Sequence, residues 1–345
     1  MRAIDSRLFR GGWWFALTTM LTLACGCGTP SFLVTPVANS NTLDEQVVEA
    51  GTGFFQKKIA IIEVEGMLAN AKTGGLLQAT ENPMSLFAQQ LERAESDPSV
   101  SAVVLRVNSP GGTVTSSDAM YDLIKRFKQK THKPVVASIQ EVGASGAFYV
   151  SCAADKIVAQ PTSIVGSVGV IFESMEFSGT LGKIGAKAWS ITSGSLKDMG
   201  SPFKPLGNQE RSVMQQMVDE YFIRFINIVQ TNRNVKEAPA KDLMFYKQPD
   251  YAGVYSGRVF SGQTAQKLGL VDRLGLLSDA IDLAKELSHS NGASVILYKR
   301  PYGYSGSIYA SSEVPPAKAN ITQLNLPGVN GLIPAGFYYL WQPGL

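Results

Sequence analysis

The chain has 345 residues, of which 45% are hydrophobic and 17% charged, and this composition is typical of a folded protein with a large core. A net charge of +3, without a basic cluster interleaved with aromatic residues, argues against nucleic acid as a partner. Only two histidines and three cysteines are present, so a multi-histidine metal site is nearly excluded and we expect neither a cofactor nor a disulfide framework.

Residues 1–28 resemble a secretory signal, because arginines precede an apolar run from Trp13 to Ala24 and small residues follow it. The run is short for a membrane-spanning helix, which needs about 20 residues. Cys25 or Cys27 stands where a bacterial lipoprotein is lipidated, although the usual leucine three residues upstream is missing for both. Flanking glycines favour Cys27 slightly. A cleaved secretory peptide and an uncleaved anchor are the alternatives, and all of them predict an extracytoplasmic protein. An N-terminal lipid or an uncleaved signal would anchor it to the membrane on the periplasmic side, which is the location that we expect.

Residues 29–57 read as a tether that contains a short acidic, helix-like piece from Leu43 to Glu49. Strands and helices then alternate, which predicts an α/β fold with mainly parallel strands and a site at their carboxyl ends. The predicted strands are Ile59–Leu68, Val100–Val107, Pro134–Ile139, Lys156–Ala159, Val165–Phe172, Gly185–Thr192 and Ala293–Tyr298. The main predicted helices are Pro83–Glu95, Ser116–Gln129 and Asn208–Asn232.

The segment 301–345 is rich in Pro, Gly and Ser and contains an apolar stretch, PAGFYYLW. This tail could pack on a partner subunit or touch a membrane, and the sequence leaves both open. The main folded domain is therefore predicted to span residues 58–300.

Two turns rich in small residues follow neighbouring predicted strands, so they should lie together at the carboxyl ends of these strands. The first is Asn108–Gly112, and the second surrounds Ser145 in the sequence Gly143–Ala147. A serine on such a turn can be held as an exposed nucleophile. On this turn alone the commoner role is that of a helix N-cap. Neither histidine lies beside Ser145 in sequence, so a lysine is the better candidate for a base.

Five segments stand in the order and spacing of bacterial signal peptide peptidase A (SppA), which the chain resembles from about Ile59 to Val295. They are Arg106–Gly112 (RVNSPGG), Ala144–Asp155 (ASGAFYVSCAAD), Gly166–Val170 (GSVGV), Ser193–Phe203 (SGSLKDMGSPF) and Gly257–Asp272 (GRVFSGQTAQKLGLVD). The resemblance implies a crotonase- and ClpP-like fold with repeated ββα units and a C-terminal α/β extension. It also implies the short, single-copy form of the family.

By the same resemblance, Ser145 is the nucleophile and Lys197 the general base of a serine–lysine dyad. Ser167 would hold the lysine amine, and the backbone N–H groups of Gly112 and Gly146 would face the oxyanion. The lysine must be uncharged to act as a base, so the neighbouring carboxylate should point away from it.

The resemblance implies a membrane-associated serine endopeptidase that degrades remnant signal peptides and other unfolded apolar peptides through an acyl-enzyme. Its short members form rings, so we expect a homo-oligomer in which a dyad is shared between subunits. One departure is Ala147, where the family usually has glycine, and its methyl group could narrow the pocket. A crotonase-like enzyme acting on acyl-coenzyme A and a non-catalytic peptide-binding scaffold are the alternatives.

Overall fold

The computed structural model describes residues 43–52, 57–71, 81–237, 246–248, 253–300 and 336–342. Within these residues, eleven strands form one mixed sheet whose main order is β1-β10-β2-β3-β4-β5-β9. The strands are Asp44–Glu49 (β1), Lys58–Leu68 (β2), Val100–Thr113 (β3), Val135–Ala144 (β4), Lys156–Ala159 (β5), Ile164–Gly166 (β6), Ile171–Glu173 (β7), Val259–Ser261 (β8), Arg273–Leu274 (β9), Ser294–Lys299 (β10) and Gly336–Leu340 (β11).

Seven helices connect or flank these strands in the described part of the chain. They are Pro83–Ser96 (α1), Val114–Thr131 (α2), Gly146–Ser151 (α3), Ser178–Lys183 (α4), Asn208–Asn232 (α5), Gly262–Lys267 (α6) and Leu277–Leu287 (α7). The neighbours β10, β2, β3, β4, β5 and β9 all pair in parallel, as the strand–helix alternation predicts. The α/β, ClpP-like architecture is therefore confirmed.

Both faces of the sheet are buried, which explains the near-continuous apolar sequence of its central strands. Successive residues of β2 face opposite sides, so Ile59 and Ile61 pack under α7 while Ala60 and Ile62 face the larger core on the other side. That larger core receives residues from α1, α2, α3 and α5.

Two local predictions are wrong. Leu43–Glu49 is not helical, because Asp44–Glu49 pairs antiparallel with β10 at the edge of the sheet. The segment Gly185–Thr192 is not a strand in the single chain, where it runs as an exposed, irregular stretch.

The predicted signal segment lies outside the described residues, and with it the lipidation candidates Cys25 and Cys27. Among the helices of the described ranges, none is both long and apolar enough to cross a membrane. The predicted domain boundaries stay predictions.

Candidate active site

Strand β4 ends before the sheet does, and beyond its end a separate strand position lies between β3 and β7. Strand β4 lies between β3 and β6 as far as Ala144, which pairs with Gly166, and the chain then turns away at Ser145 into the short helix α3. Ser145 takes a backbone φ of +53° and ψ of −117°. Such a conformation costs a non-glycine residue about 1–3 kcal/mol and is concentrated at functional sites.

Two backbone hydrogen bonds hold the Ser145 turn. The Ser145 N–H donates to the carbonyl of Gly166 at 2.7 Å, and the Tyr149 N–H donates to the carbonyl of Ser145 at 2.9 Å. The serine is 1% exposed, yet its side chain makes no cap hydrogen bond to α3. Ser145 therefore stands at the N-cap position of α3, but its hydroxyl does not cap the helix.

The SPGG segment was predicted as a turn, but it continues strand β3 after a register shift against β2. The Ser109 hydroxyl donates to the carbonyl of Gly66 at 2.6 Å and accepts from the Gly111 N–H at 3.1 Å. Gly111 has a φ of +103°, a conformation that side chains rarely adopt. This segment brings Gly112 beside Leu68 of β2, where a side chain would overlap the Leu68 carbonyl.

The backbones of Gly112 and Gly146 converge. A methyl group placed on Gly146 would lie 3.2 Å from the amide nitrogen of Gly112, and one placed on Gly111 would lie 2.7 Å from the amide nitrogen of Gly146. The two glycines thus bring their backbones together next to Ser145, with no side chain in the way. Paired backbone N–H groups in such a place can stabilise an oxyanion.

Ser167 directly follows Gly166, whose carbonyl accepts the hydrogen bond from the Ser145 N–H. Its own N–H donates to the carbonyl of Arg258 at 2.8 Å, and its φ is +52°. The residue is 6% exposed and borders a cavity of about 530 Å³. The bond between Ser145 and Gly166 therefore brings the two serine-bearing turns together.

Lys197 lies on the segment between α4 and α5. It is exposed, on a loop that packs little against the body, and in the described part of one chain no hydrogen bond links it to Ser145. The adjacent carboxylate of Asp198 accepts instead from the Lys204 ammonium at 2.5 Å, and Lys204 also donates to Glu210 at 2.6 Å. Asp198 is thus paired with Lys204, and no hydrogen bond joins it to Lys197.

Strand β11 occupies the strand position between β3 and β7, beyond the end of β4. The sequence did not predict this position. It pairs antiparallel with Gly111–Thr113 of β3 on one side and with Ile171–Glu173 of β7 on the other. Its Tyr339 is fully buried. The stretch GFYYL, rich in residues that favour strands, is the signal that could have revealed it.

The two histidines lie near the amino ends of the parallel strands, whereas Ser145 lies at the carboxyl end of β4. His132 ends α2 shortly before β4 begins, whereas Ser145 follows the end of that strand, which is about 30 Å long at 3.3 Å per residue. His289 likewise precedes β10, which runs parallel to β2. A histidine base for Ser145 within the described chain is therefore excluded by distance.

Comparison with known proteins identifies relatives of this chain. The model of peptidase family S49 matches residues 127–291, and that of Clp protease matches residues 62–165. A candidate signal peptide peptidase SppA of Enterococcus faecium is 33% identical over 75% of this chain and 72% of its own length. The chain belongs to the SppA family of S49 peptidases.

Two further relatives of this SppA-family chain are named as proteases. A candidate protease of Methanocaldococcus jannaschii is 33% identical over 65% of this chain and 68% of its own length. Protease 4 of Haemophilus influenzae is 31% identical over 67% of this chain and 35% of its own length. These matches support a serine peptidase rather than an enzyme of acyl-coenzyme A esters.

The residue that departs from the SppA pattern is accommodated in the core. Ala147 is fully buried and packs in the larger core cluster. Cys152, one turn further on, is also fully buried, and burial raises the pKa of its thiol to about 12. Both side chains therefore support the packing of α3 beneath Ser145.

Proposed function

We propose that this SppA-family peptidase uses Ser145 as its nucleophile and Lys197 as its general base. The observation that carries the proposal is the strained turn of Ser145, whose hydroxyl caps no helix and lies beside the converging backbones of Gly112 and Gly146. Strain of this kind persists where the surrounding structure enforces it for function.

The chemistry follows from this arrangement. The Ser145 hydroxyl attacks a peptide carbonyl while the uncharged Lys197 amine takes its proton, and the N–H groups of Gly112 and Gly146 bind the oxyanion. The protonated lysine then gives its proton to the leaving amine, and water hydrolyses the acyl-enzyme. Ser167, beside the same turn, is the residue that we assign to orienting the amine.

We assign Lys197 of one subunit to the Ser145 of its neighbour in a ring-shaped homo-oligomer. Two observations support this assignment: Lys197 is exposed in the single chain, and Asp198 is paired with Lys204. The surrounding segment also exposes large apolar side chains, which is unusual for a free surface. They are Met175, Phe177, Ile184, Trp189, Ile191 and Phe203.

The substrates that fit the proposal are unfolded apolar peptides, including remnant signal peptides, bound by strand addition. A peptide in the place of β11 would pair with the same backbone groups of β3 and β7 that β11 uses in the single chain. A signal or lipid anchor in residues 1–28 would hold the enzyme at the membrane where these substrates arise.

Labelling with a fluorophosphonate tests the proposal directly. We expect modification of Ser145 in the full-length protein, loss of labelling in Ser145→Ala, and a decrease of at least about 100-fold in Lys197→Met. Lys187→Met, which removes an exposed lysine of the same segment, is the matched control and should label normally. Peptide binding without any labelling would favour a non-catalytic scaffold.

Mixing two inactive variants tests the shared dyad. Ser145→Ala subunits keep their lysine and Lys197→Met subunits keep their serine, so a mixed ring contains complete dyads at some contacts between neighbours. We expect peptidase activity to return when the two are unfolded and assembled together, and not when either is treated alone. If the mixture stays inactive while wild type recovers, the dyad does not cross subunits.

A further inference from the structure

The hydroxyl of Tyr149 makes a buried polar contact beneath the nucleophile turn, and the proposed catalytic steps do not use it. We infer that Asp118, Tyr149 and Arg224 are positioning residues for the oxyanion site. They hold the backbone N–H groups of Gly112 and Gly146 at the spacing that one oxyanion needs. This inference rests on the proposed function, in which those two N–H groups bind the oxyanion.

The carboxylate of Asp118 joins three helices. Asp118 belongs to α2, and its carboxylate accepts a hydrogen bond from the hydroxyl of Tyr149 in α3. It also accepts one from Nε of Arg224 in α5 at 2.8 Å, and a second guanidinium nitrogen lies 2.7 Å from the same oxygen. Hydrogen bonds to a charged acceptor are stronger than neutral ones, so this contact can fix the helices against one another.

Two of these helices begin at the proposed oxyanion donors. Gly112 comes shortly before Val114, where α2 begins, and Gly146 is the first residue of α3. Asp118 and Tyr149 each lie about one helical turn further along their own helix. Because the backbone hydrogen bonds of a helix leave little freedom within one turn, the bond between these two side chains sets the distance between the helix starts. It therefore sets the distance between the two N–H groups.

The position of Tyr149 also orients the N–H group of Gly146. The Tyr149 N–H donates to the carbonyl of Ser145 at 2.9 Å. That carbonyl and the Gly146 N–H belong to the same planar, trans peptide group, so they point in opposite directions. A shift of Tyr149 would tilt this peptide group and turn the N–H away from the oxyanion.

The side chain of Tyr149 is fully buried in a cluster of aromatic rings. Its ring centre lies 5.0 Å from those of Phe225 and Tyr339 and 5.5 Å from that of Tyr121, and Phe225 and Tyr339 are themselves 4.9 Å apart. Burial, and then the hydrogen bond to Asp118, raise the pKa of the Tyr149 hydroxyl, which therefore keeps its proton and donates it. A phenylalanine would fill the same apolar space, so what the hydroxyl adds is the contact with Asp118.

Peptidase kinetics of Tyr149→Phe test the inference. We expect kcat to fall about 10-fold, a smaller loss than the roughly 100-fold that follows removal of a whole donor, while KM changes by less than about 2-fold. The affinity for a peptide aldehyde should fall by the same factor as kcat/KM, because its adduct with Ser145 places an oxygen in the oxyanion site. Asp118→Asn keeps an acceptor for the hydroxyl but loses the charge that holds Arg224, so its kcat should lie between those of wild type and Asp118→Ala.

Two matched variants separate positioning from stability. Tyr121→Phe removes a hydroxyl from the neighbouring ring, where it accepts from Asn232 at 3.0 Å. Lys128→Met removes a 2.9 Å hydrogen bond from α2 to the carbonyl of Ala153, beyond the far end of α3. Both should keep kcat within about 2-fold of wild type, even where thermal melting shows the same loss of stability as in Tyr149→Phe.

The outcomes separate this inference from the proposed function. If Gly146→Ala is inactive while Tyr149→Phe keeps the wild-type kcat, or if the two matched variants lose as much activity, the positioning role is wrong and the enzyme remains. A rise in KM at unchanged kcat would assign Tyr149 to substrate binding instead and also overturns the inference. If Tyr149→Phe does not fold, a wild-type kcat in Asp118→Ala overturns it alone. If wild type neither labels at Ser145 nor cleaves peptides, the proposed function itself fails.

Discussion

The N–H group of Ser145 donates a 2.7 Å hydrogen bond to the carbonyl of Gly166, so the turn of the proposed nucleophile and the turn of Ser167 are fixed to each other. Both serines have positive φ angles, of 53° and 52°, which side chains rarely adopt. Because strand pairing of β4 with β6 leads directly into both turns, the sheet itself positions the two hydroxyl-bearing residues.

A methyl group on Gly146 should obstruct the oxyanion site without preventing folding. It would lie 3.0 Å from the Tyr339 carbonyl oxygen and 3.2 Å from the Gly112 nitrogen, and it would overlap the Ser117 hydroxyl. We expect Gly146→Ala to lower kcat by about 100- to 1,000-fold, the usual effect of losing an oxyanion donor. Peptidase assays on the purified variant measure this.

The double variant Gly146→Ala/Ser117→Ala separates obstruction from misfolding. Removing the Ser117 hydroxyl relieves the overlap, so the melting temperature should recover toward that of Ser117→Ala alone. The activity should stay low, because the methyl group still lies beside the Gly112 nitrogen. Full activity in the double variant would show that these amides do not bind the oxyanion.

Removing Glu63 should strongly destabilise the sheet. Its carboxylate forms an ion pair with Arg106 in the neighbouring strand, and the side chains of the two are 6% and 4% exposed. Breaking a buried pair leaves a charge without its main compensation, so we expect Glu63→Ala to cost about 3–5 kcal/mol of unfolding free energy in urea titrations. Glu65→Ala is the control and should cost less than about 1 kcal/mol, because that side chain is 43% exposed.

The loop that carries Lys197 should be stabilised at neutral pH and loosened by acid. The hydrogen bond from Lys204, and then that from the Gly207 N–H, hold the pKa of Glu210 below its ordinary value of 4.5. A lowered pKa in the folded state adds stability that is fully present above 4.5 and is lost as the pH falls through the folded value. Urea titrations between about pH 3 and 7 should therefore show a steeper acid loss for wild type than for Glu210→Gln. Equal slopes would contradict this.

The titration of Lys204 limits the stability of the same contact at high pH. Its hydrogen bonds to Asp198 and then to Glu210 raise the pKa of the ammonium above its ordinary value of 10.5. The stabilisation is therefore complete below that value and is lost as the pH rises through the folded pKa. Across the neutral range we expect the loop to remain held by this pair of contacts.

The exposed apolar segment should be needed for assembly. Trp189 is 81% and Ile191 96% exposed, so a charge at either position should leave the single chain folded while it disrupts a contact with a second copy. We expect Trp189→Asp to reduce the oligomer to monomers in light scattering and to abolish activity. Leu276→Asp changes an exposed leucine outside the segment and should assemble normally. An intact oligomer in Trp189→Asp would place the interface elsewhere.

Elements with a strong local pattern could be predicted from the sequence. The long helix α5 was expected at Asn208–Asn232 and β5 at Lys156–Ala159, and both have these bounds. The apolar period of the helix and the β-branched residues of the strand carry enough local information.

Elements that depend on distant partners could not be predicted in this way. Asp44–Glu49 is acidic and would suit a helix, but pairing with β10 makes it a strand. Gly185–Thr192 has the composition of a strand, yet no neighbouring strand pairs with it in one chain. The presence of a pairing strand decides the first segment and the absence of one in the described chain decides the second.

The sequence predicted the small-residue segments of the site, but it did not predict that β11 lies beside them. Ser145, Gly112 and Gly146 lie together as expected, whereas the place of Tyr339 depends on a contact with Gly112 from far along the chain. Periodicity carries no information on such a pairing, and a run of aromatic residues indicates only that a strand is possible.

The ring cluster of Tyr149, Phe225 and Tyr339 has a consequence for biosynthesis. Tyr339 follows every other described member of the core in sequence, so a ribosome must translate beyond residue 340 before the cluster can close. A nascent chain released from the ribosome's exit tunnel earlier than that carries an open aromatic slot beside an unoccupied sheet edge, the kind of surface that chaperones recognise. The ring cluster of this enzyme can therefore close only after β11 has been translated.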